Sequence, residues 1–368
     1  MSTTSKRSSS RESSSEDTGT CKSCRVSEGP KYYYPGIDGC RSVDEFSFIH
    51  KIEEGTYGVV FKATNKRTGE NVALKRLKIE AGQDGFPITS LREVNTLLKA
   101  RHPHIINVQE IVFGNDLTKI YIVMEYMEYD LRTIMDMMKA PFTLGQIKTL
   151  LRQLLDAVRH LHDNWIIHRD LKPSNLLYER GILKVGDFGL AREYGSPLRA
   201  YSQSVVTLWY RAPELLLRPS KLVRYSTAID IWSIGCIFAE LLTNKALFAG
   251  KTEQHQIELI FSVLGTPNDS VWPGFENLKL STSYRLPQYK FNELAVRLQN
   301  TAVSNFKEGL KLLNQMFDYN VAKRISADDA LKHRFFDEIP RPIDPALFPE
   351  QISRPPCQGS TRVSRRDA

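Results

Sequence analysis

The apolar positions of this 368-residue chain change period several times, and each change marks a predicted element. From Phe46 the pattern is strand-like, and Ile52-Glu53-Glu54-Gly55-Thr56-Tyr57-Gly58-Val59-Val60-Phe61-Lys62-Ala63 reads as a hairpin that turns through glycine. Val72-Ala73-Leu74-Lys75 predicts a further strand ending on a lone lysine. Behind Pro87, well placed just before a helix, Leu91, Val94, Leu97 and Leu98 recur at helical spacing. Lys119 to Met124 predicts a buried strand, and Glu125 to Asp130 the connector leaving it. Leu151, Leu154, Leu155, Val158 and Leu161 predict an amphipathic helix over Leu150–His162. Leu176-Leu177-Tyr178 and Ile182-Leu183-Lys184-Val185, with Gly181 between them, predict a second, short hairpin. The stretch from Ser226 or Thr227 through Leu242 is apolar nearly all round, the pattern of a helix buried on every side. Its Asp230 is costly there unless hydrogen-bonded.

The short hairpin gathers the chemistry. His168-Arg169-Asp170-Leu171-Lys172-Pro173-Ser174-Asn175 runs into its first strand, and Asp187-Phe188-Gly189 leaves its second. The hairpin would therefore hold Asp170, Lys172, Asn175 and Asp187 in one small volume. Two acids, an amide and a lysine suit phosphoryl transfer from a metal-bound nucleotide. One acid accepts a hydroxyl proton, the amide and second acid hold magnesium, and the lysine steadies moving charge. The bland alternative is a solvated polar loop. H-R-D-x-x-x-x-N followed by D-F-G at hairpin distance argues against it, because the combination is far more specific than an H-R-D alone.

Composition changes this picture little. The formal net charge of +8 is spread along the chain, which permits an acidic partner surface but does not argue for nucleic-acid binding. No run of about 18 apolar residues predicts a membrane span. The Ser-rich start has no apolar core of a secretory signal, and no Gly follows Met1 for myristoylation. Five cysteines suggest no disulfide framework and a reducing compartment. Cys21 and Cys24 could be half a zinc site, but no second pair follows, so ordinary thiols are the better reading. Residues 1–40, dominated by Ser with Arg and Glu, are expected to be disordered, either a solubilising tail or a phosphorylatable one. Residues 346–368, rich in Pro and then Arg, are expected to be a second disordered tail. No internal repeat is found.

The H-R-D and D-F-G residues resemble those of the eukaryotic protein kinases. Pro87-Ile88-Thr89-Ser90-Leu91-Arg92-Glu93 spells the signature of the PITSLRE branch of cyclin-dependent kinases. Together with Val72-Ala73-Leu74-Lys75 and Ala212-Pro213-Glu214, the likeness covers roughly residues 41 to 345. It implies an α+β, bilobal fold with a small mainly-β N-lobe (about 41–125), a hinge (about 125–130) and a larger mainly-α C-lobe (about 131–338). ATP and Mg²⁺ are the implied cofactors. Catalysis would fall to Asp170, Lys172, Asn175 and Thr207, and magnesium to Asn175 and Asp187. ATP would be held by Ile52, Glu53, Gly55, Gly58, Val60, Ala73, Lys75, Glu93, Met124, Glu125, Met127 and Asp130. Of these, Glu93 would pair with Lys75, backbone groups of Glu125 and Met127 would read the adenine edge, and Asp130 would face the ribose. Glu53 stands where the kinase Gly-rich loop has its first glycine, a departure that looks like a trait of the branch.

The resemblance also implies control. Ser202 aligns with the activating phosphosite and Arg92, Arg169 and Arg192 with the arginines that clamp its phosphate; three guanidinium groups repel one another until a dianion joins them. Phosphorylation of Thr56 or Tyr57 would put negative charge beside ATP. Glu214 and Arg324 would form a buried structural pair, and Asp230 would brace the catalytic loop. A cyclin, suspected to be of L type, would grip the Pro87–Glu93 helix. Lys172 and Thr207 fit a serine/threonine kinase, and Val205 to Arg211 fits a preference for proline after the target residue. The branch implies cell-cycle and transcription or RNA-processing control, in nucleus or cytoplasm with the nucleus favoured, and neither secretion nor membrane insertion. Two other classes compete. A weakly catalytic scaffold is favoured only by Glu53 and the short chain, and an RNA-binding protein lacks an aromatic platform.

Overall fold

Strand propensity concentrated ahead of Glu125 produces a sheet. In the computed structural model, which describes residues 39–54, 58–77, 88–114, 119–138, 140–194, 201–202, 207–217, 222–223, 226–277, 287–299, 301 and 307–348, the chain divides into two units, Met1–Cys40 and Arg41–Ala368. Only Gly39 and Cys40 of the first are described, and everything below concerns the second.

The first lobe is a five-stranded antiparallel sheet with one helix. Its strands are β1 (Phe46–Glu54), β2 (Gly58–Asn65), β3 (Asn71–Leu77), β4 (Val108–Phe113) and β5 (Ile120–Glu125), in the order β1-β2-β3-β5-β4. Helix α1 (Ile88–Lys99) joins β3 to β4. Alternation places Val72 and Leu74 with Ala63, Val112, Tyr121 and Val123 on one side, where they make a small core. The opposite side of β3 carries Ala73 and Lys75 toward the cleft. Gly58 is needed for a reason the loop pattern did not show: a Cβ there would lie 2.4 Å from the Arg76 carbonyl oxygen of β3.

The second lobe is mainly helical. After β6 (Tyr129–Asp130) come α2 (Leu131–Met137), α3 (Leu144–Asp163) and β7 (Ile166–Ile167), then the predicted short hairpin as β8 (Leu176–Glu179) and β9 (Ile182–Val185). β10 (Arg192–Glu193) pairs with β7, and β11 (Tyr201–Ser202) with β12 (Leu222–Val223). Helices α4 (Pro213–Leu216), α5 (Ala228–Thr243), α6 (Glu253–Leu264), α7 (Leu294–Arg297), α8 (Lys307–Met316) and α9 (Ala327–Leu331) complete it. Helix α5 is buried along nearly its whole length, as its apolar run predicts. Helix α3 begins six residues before the predicted Leu150, because Thr143 and Gln146 cap its first turn reciprocally and the apolar stripe does not register a cap.

The two lobes are fastened behind the cleft. Val185 N–H donates to the His104 carbonyl, and Ile106 N–H donates to the Val185 carbonyl, both at 2.9 Å. At the far end of the chain, residues past Phe336 run back over α3. Lys148 Nζ donates to the Glu338 carbonyl at 2.7 Å, and Thr149 Oγ1 to the Ile343 carbonyl at 2.7 Å. Phe348, three residues beyond the boundary read from the sequence, is buried. The β8–β9 turn admits it because Gly181 (φ +79°) has no Cβ; one would meet the Phe348 ring at 2.9 Å. Among the described residues no helix is long and apolar enough to cross a membrane.

Candidate active site

The cleft between the lobes encloses a cavity of about 400 Å³. Ile52, Glu53, Gly58, Val60, Ala73 and Lys75 line it from the sheet, Met124, Glu125 and Met127 from the connector, and Asp170, Asn175 and Asp187 from the hairpin side. The sequence thus brought most of the intended nucleotide site to one place. Lys75 and Glu93 form a buried ion pair, and Lys75 Nζ also lies 3.4 Å from Asp187 Oδ1. Burial pushes the Lys75 pKa down, but the two carboxylates outweigh it and hold the ammonium above the usual lysine range. Asp187 moves the other way. Its enclosure raises the pKa, yet Lys75 and His168 dominate and keep it ionised below the usual carboxylate value. Its side chain is 45% exposed, toward the open cavity.

Catalytic geometry is set one turn below. Asp170 Oδ2 accepts from Asn175 Nδ2 at 2.9 Å, while Oδ1 accepts from Thr207 N–H and Thr207 Oγ1, each at 3.1 Å. Lys172 Nζ stands 3.3 Å from Asp170 Oδ2 and donates to Thr207 Oγ1 at 3.0 Å. The carboxylate is therefore fixed in orientation by partners from both ends of the catalytic segment. The same bonds spend Asn175 Nδ2, which also reaches the Asp170 carbonyl at 2.8 Å. Asn175 Oδ1 carries no hydrogen bond to the described residues, so an amide oxygen and the Asp187 carboxylate both face the cavity. That oxygen-only donor set is what Mg²⁺ accepts, so the residues fit the ion.

The loop that holds Asp170 is strained and braced. Arg169 (φ 70°) and Asp187 (φ 51°) both take left-handed backbone, at a cost of order 1–3 kcal/mol each unless the surroundings enforce it. Asp230 enforces the first, accepting the N–H groups of His168 at 3.0 Å and Arg169 at 2.9 Å and meeting His162 Nε2 at 3.0 Å. Burial raises the Asp230 pKa, but these donors prevail and leave it depressed. His168, fully buried, is a strut that sequence reading passed over although it opens the H-R-D triplet. Its Nδ1 accepts from Asp170 N–H and its Nε2 faces the Gly186 carbonyl at 3.0 Å, tying the loop to the D-F-G turn. Phe188 packs edge-on against its ring at 4.9 Å.

Other expected residues fall differently. Asp130 does not line the cavity; its carboxylate caps α2, accepting from Thr133 N–H and Thr133 Oγ1 at 2.8 Å each. Gly55, Thr56 and Tyr57 lie outside the described residues, as do Cys21 and Cys24. Arg92 and Ser202 are placed only as backbone, in α1 and β11. Of the supposed phosphate clamp, Arg169 Nε donates to the Leu190 carbonyl at 2.7 Å and Arg192 Nη1 to the Ala191 carbonyl at 2.8 Å, so adjacent carbonyls anchor both. Glu214 and Arg324 are joined by two bonds, of 2.7 and 3.0 Å. Sequence reading missed the second job of Glu125. Its carboxylate accepts from Lys184 Nζ at 2.8 and 2.7 Å and from Asn107 N–H at 2.7 Å, stiffening the connector. A larger cavity, about 650 Å³, lies between α3 and Pro342–Pro345. Its acids are already engaged, Asp156 with His102 and Arg159, Asp328 with Lys332, and Asp344 with Ala346 N–H.

Residues 46–336 match the family described as protein kinase domain. The chain belongs to the protein kinases. Within them it sits in the PITSLRE cyclin-dependent branch. It is 57% identical over 323 residues to cyclin-dependent kinase 11B of Homo sapiens, covering 88% of this chain and 40% of that protein. It is 56% identical to cyclin-dependent kinase 11B of Rattus norvegicus, covering 88% and 72%. It is also 56% identical over 326 residues to serine/threonine-protein kinase PITSLRE of Drosophila melanogaster, covering 86% and 34%. The kinase spans about 40% of the length of the human relative. The expected α+β, bilobal arrangement holds, and these relatives are named as cyclin-dependent or serine/threonine-protein kinases. A protein kinase domain uses ATP, typically with magnesium.

Proposed function

We propose that this chain transfers the γ-phosphoryl group of ATP to Ser or Thr hydroxyls of proteins, preferentially those followed by proline, under the control of a cyclin. One observation carries the reading: Asp170 is held by Asn175 on one oxygen and Thr207 on the other, with Lys172 alongside, at the edge of a cavity whose Lys75–Glu93 pair is already formed. When bound, Mg-ATP supplies the phosphoryl group and a charge-neutralising cation, which Asn175 and Asp187 would hold. Asp170 orients the acceptor hydroxyl and takes its proton. Lys75 keeps the phosphates in line, fixed by Glu93, and Lys172 offsets charge that builds on the transferred group. Thr207 limits the rotation of Asp170. Ile52, Val60, Ala73 and Met124 enclose the base, and Glu125 and Met127 offer backbone groups to its edge.

The proposed control follows from what α1 touches. Through Glu93 it sets Lys75, and through Lys99, 2.6 Å from Glu193, it holds β10 just beyond the D-F-G turn. A cyclin gripping Pro87–Glu93 would move both together, and an L-type cyclin is our candidate. Phosphate on Ser202 would be bound by Arg92, Arg169 and Arg192; phosphate on Thr56 or Tyr57 would oppose ATP. Nuclear work in transcription, RNA processing and the cell cycle fits this reading. A peptide array with Mg-ATP, read with and without L-type cyclin, tests it. Cyclin-dependent labelling that falls when the proline after Ser is replaced supports the proposal; labelling indifferent to both overturns the assigned control and substrate class.

A further inference from the structure

The sheet side of the cleft carries one carboxylate that nothing in the fold engages, and strand register places it. Glu53 of β1 lies opposite Val60 of β2, and Val60 lies opposite Lys75 of β3. Directly opposed residues of an antiparallel pair put their side chains on one face, so the three form a row across the sheet. The row is on the cavity side, because all three residues line the cavity, while Phe61, Leu74 and Val72 belong to the core of the other face. An irregularity between Lys51 and Glu53 gives β1 an extra residue, which brings Ile52 to the cavity as well. Neighbouring strands are about 4.8 Å apart, so only about 10 Å separates the backbones of Glu53 and Lys75, with Val60 between them.

Glu53 differs from the other acids around it. Among the described residues that line the cavity, five are acids and two are lysines. Glu93 and Asp187 face Lys75, Asp170 faces Lys172, and Glu125 holds Lys184. Glu53 has no hydrogen bond or ion pair to the described residues. Its neighbour Glu54, opposite Val59 and so on the other face, is paired with Lys51 at 3.0 Å. Phosphates drawn to Lys75 therefore meet an unneutralised carboxylate in the same row. Coulomb repulsion grows with the charge of the ligand. Bare ATP brings about four negative charges and Mg-ATP about two, so this acid disfavours the bare nucleotide about twice as strongly in free energy.

We propose that Glu53 is a specificity-determining residue that makes the cleft discriminate magnesium-loaded ATP from bare ATP. Bare ATP would fill the cavity without the cation that Asn175 and Asp187 are placed to hold, so the repulsion keeps unproductive nucleotide out. The discrimination acts from the sheet, across the cavity from the hairpin that carries those two residues. The glycine that the loop pattern has at this position would lack it. This inference rests on the nucleotide-binding part of the reading above.

Isothermal titration calorimetry on the full chain, with neither acceptor nor cyclin, tests it. Adenosine, ADP and ATP in EDTA, and ATP in excess Mg²⁺, are titrated into wild type, Glu53→Gln and Glu54→Gln. Screened repulsion from one carboxylate at this range sets the expected sizes. Glu53→Gln should bind bare ATP about fourfold more tightly than wild type and Mg-ATP about twofold more tightly, with adenosine unchanged and ADP between. The differences should close in about 1 M salt, where the screening length falls to about 3 Å. Glu54→Gln should match wild type throughout. Glu53→Ala replaces Glu53→Gln if that variant does not fold. A folded variant at Glu53 that binds bare ATP no more tightly than wild type overturns the proposal. So does an equal gain for adenosine or in Glu54→Gln, and so does a loss of ATP affinity, which would make the carboxylate a partner of the nucleotide. A wild type that binds none of the nucleotides overturns the kinase reading as well, whereas ordinary binding with an unshifted ratio of bare to magnesium-loaded affinity overturns this inference alone.

Discussion

Replacing Arg324 with methionine probes the packing of the second lobe, and its cost can be worked from the structure. The guanidinium is fully buried and Glu214 nearly so, with the two joined at 2.7 and 3.0 Å. Arg324 also donates to the Ala228 carbonyl at 2.8 Å and the Asp318 carbonyl at 3.0 Å, and lies over the Trp232 ring at 5.1 Å. It thus ties α4, α5 and the loop after α8 at one point. Arg324→Met fills similar volume but leaves the Glu214 carboxylate buried without a counter-charge, a loss of about 3–5 kcal/mol. Against a typical stability of about 5–15 kcal/mol, that is a large fraction. With about 2 °C per kcal/mol for a domain of this size, the melting temperature should fall by about 6–10 °C in thermal denaturation followed by circular dichroism. The companion variant, Glu214→Gln with Arg324→Met, removes both charges and should recover more than half of the loss, since most of the penalty is the stranded carboxylate rather than the missing attraction. A single substitution costing under about 1 kcal/mol, or a double variant as unstable as the sum of the singles, would refute the reasoning.

Two further outcomes follow from the cleft and two partly buried histidines. Lys75→Met and Glu93→Gln should each cut turnover by roughly 10²–10³, the usual scale for one preorganised electrostatic group, with little loss of thermal stability for Glu93→Gln; equal activity of Glu93→Gln and wild type would disprove the role of the pair. His102 and His333 are both held below the usual histidine pKa of 6.5, chiefly by burial, with Asp156 and Glu308 respectively opposing it only in part. Because the folded pKa values are depressed, the unfolded chain takes up protons first as pH drops through about 6.5. Their contribution to stability, complete above that point, should therefore be lost progressively as pH falls below it. Melting temperature against pH, for wild type and His333→Gln, checks this; an unchanged slope in the variant counts against His333.

How far the sequence could be read depended on whether a feature is local. The β8–β9 hairpin, the catalytic segment and α5 are written in contiguous residues, so period and motif found them. Lys75 and Glu93 are 18 positions apart and were paired by resemblance, which the ion pair matches. The buried carboxylate of Glu240, which accepts from the Tyr210 hydroxyl at 2.7 Å and from Arg132 Nη1 at 2.8 Å, was not legible, because each member looks like an ordinary polar residue until α2 and α5 pack together. Asp130 has a local role that the resemblance did not show: the start of α2 needs a cap, and its carboxylate serves that. Lys148 is fully buried with its ammonium over the Phe335 ring at 4.6 Å, an environment that burial makes unfavourable to charge and that lowers its pKa. Nothing in the amphipathic stripe of α3 announces a buried lysine, since its partner carbonyl lies 190 residues away.

The most direct measurement of the central claim is phosphoryl transfer from Mg-ATP to a Ser-Pro peptide by the cyclin-bound chain, wild type against Asp170→Asn, with ATP affinity measured on both. Asparagine keeps the shape, and its one amide oxygen can still accept from Thr207, but it cannot take a proton. The account predicts a loss of about 10²–10⁴ in turnover with ATP affinity unchanged within a few-fold. Wild-type turnover retained by Asp170→Asn, or a wild-type chain that binds both Mg-ATP and cyclin yet transfers no phosphate, would contradict it.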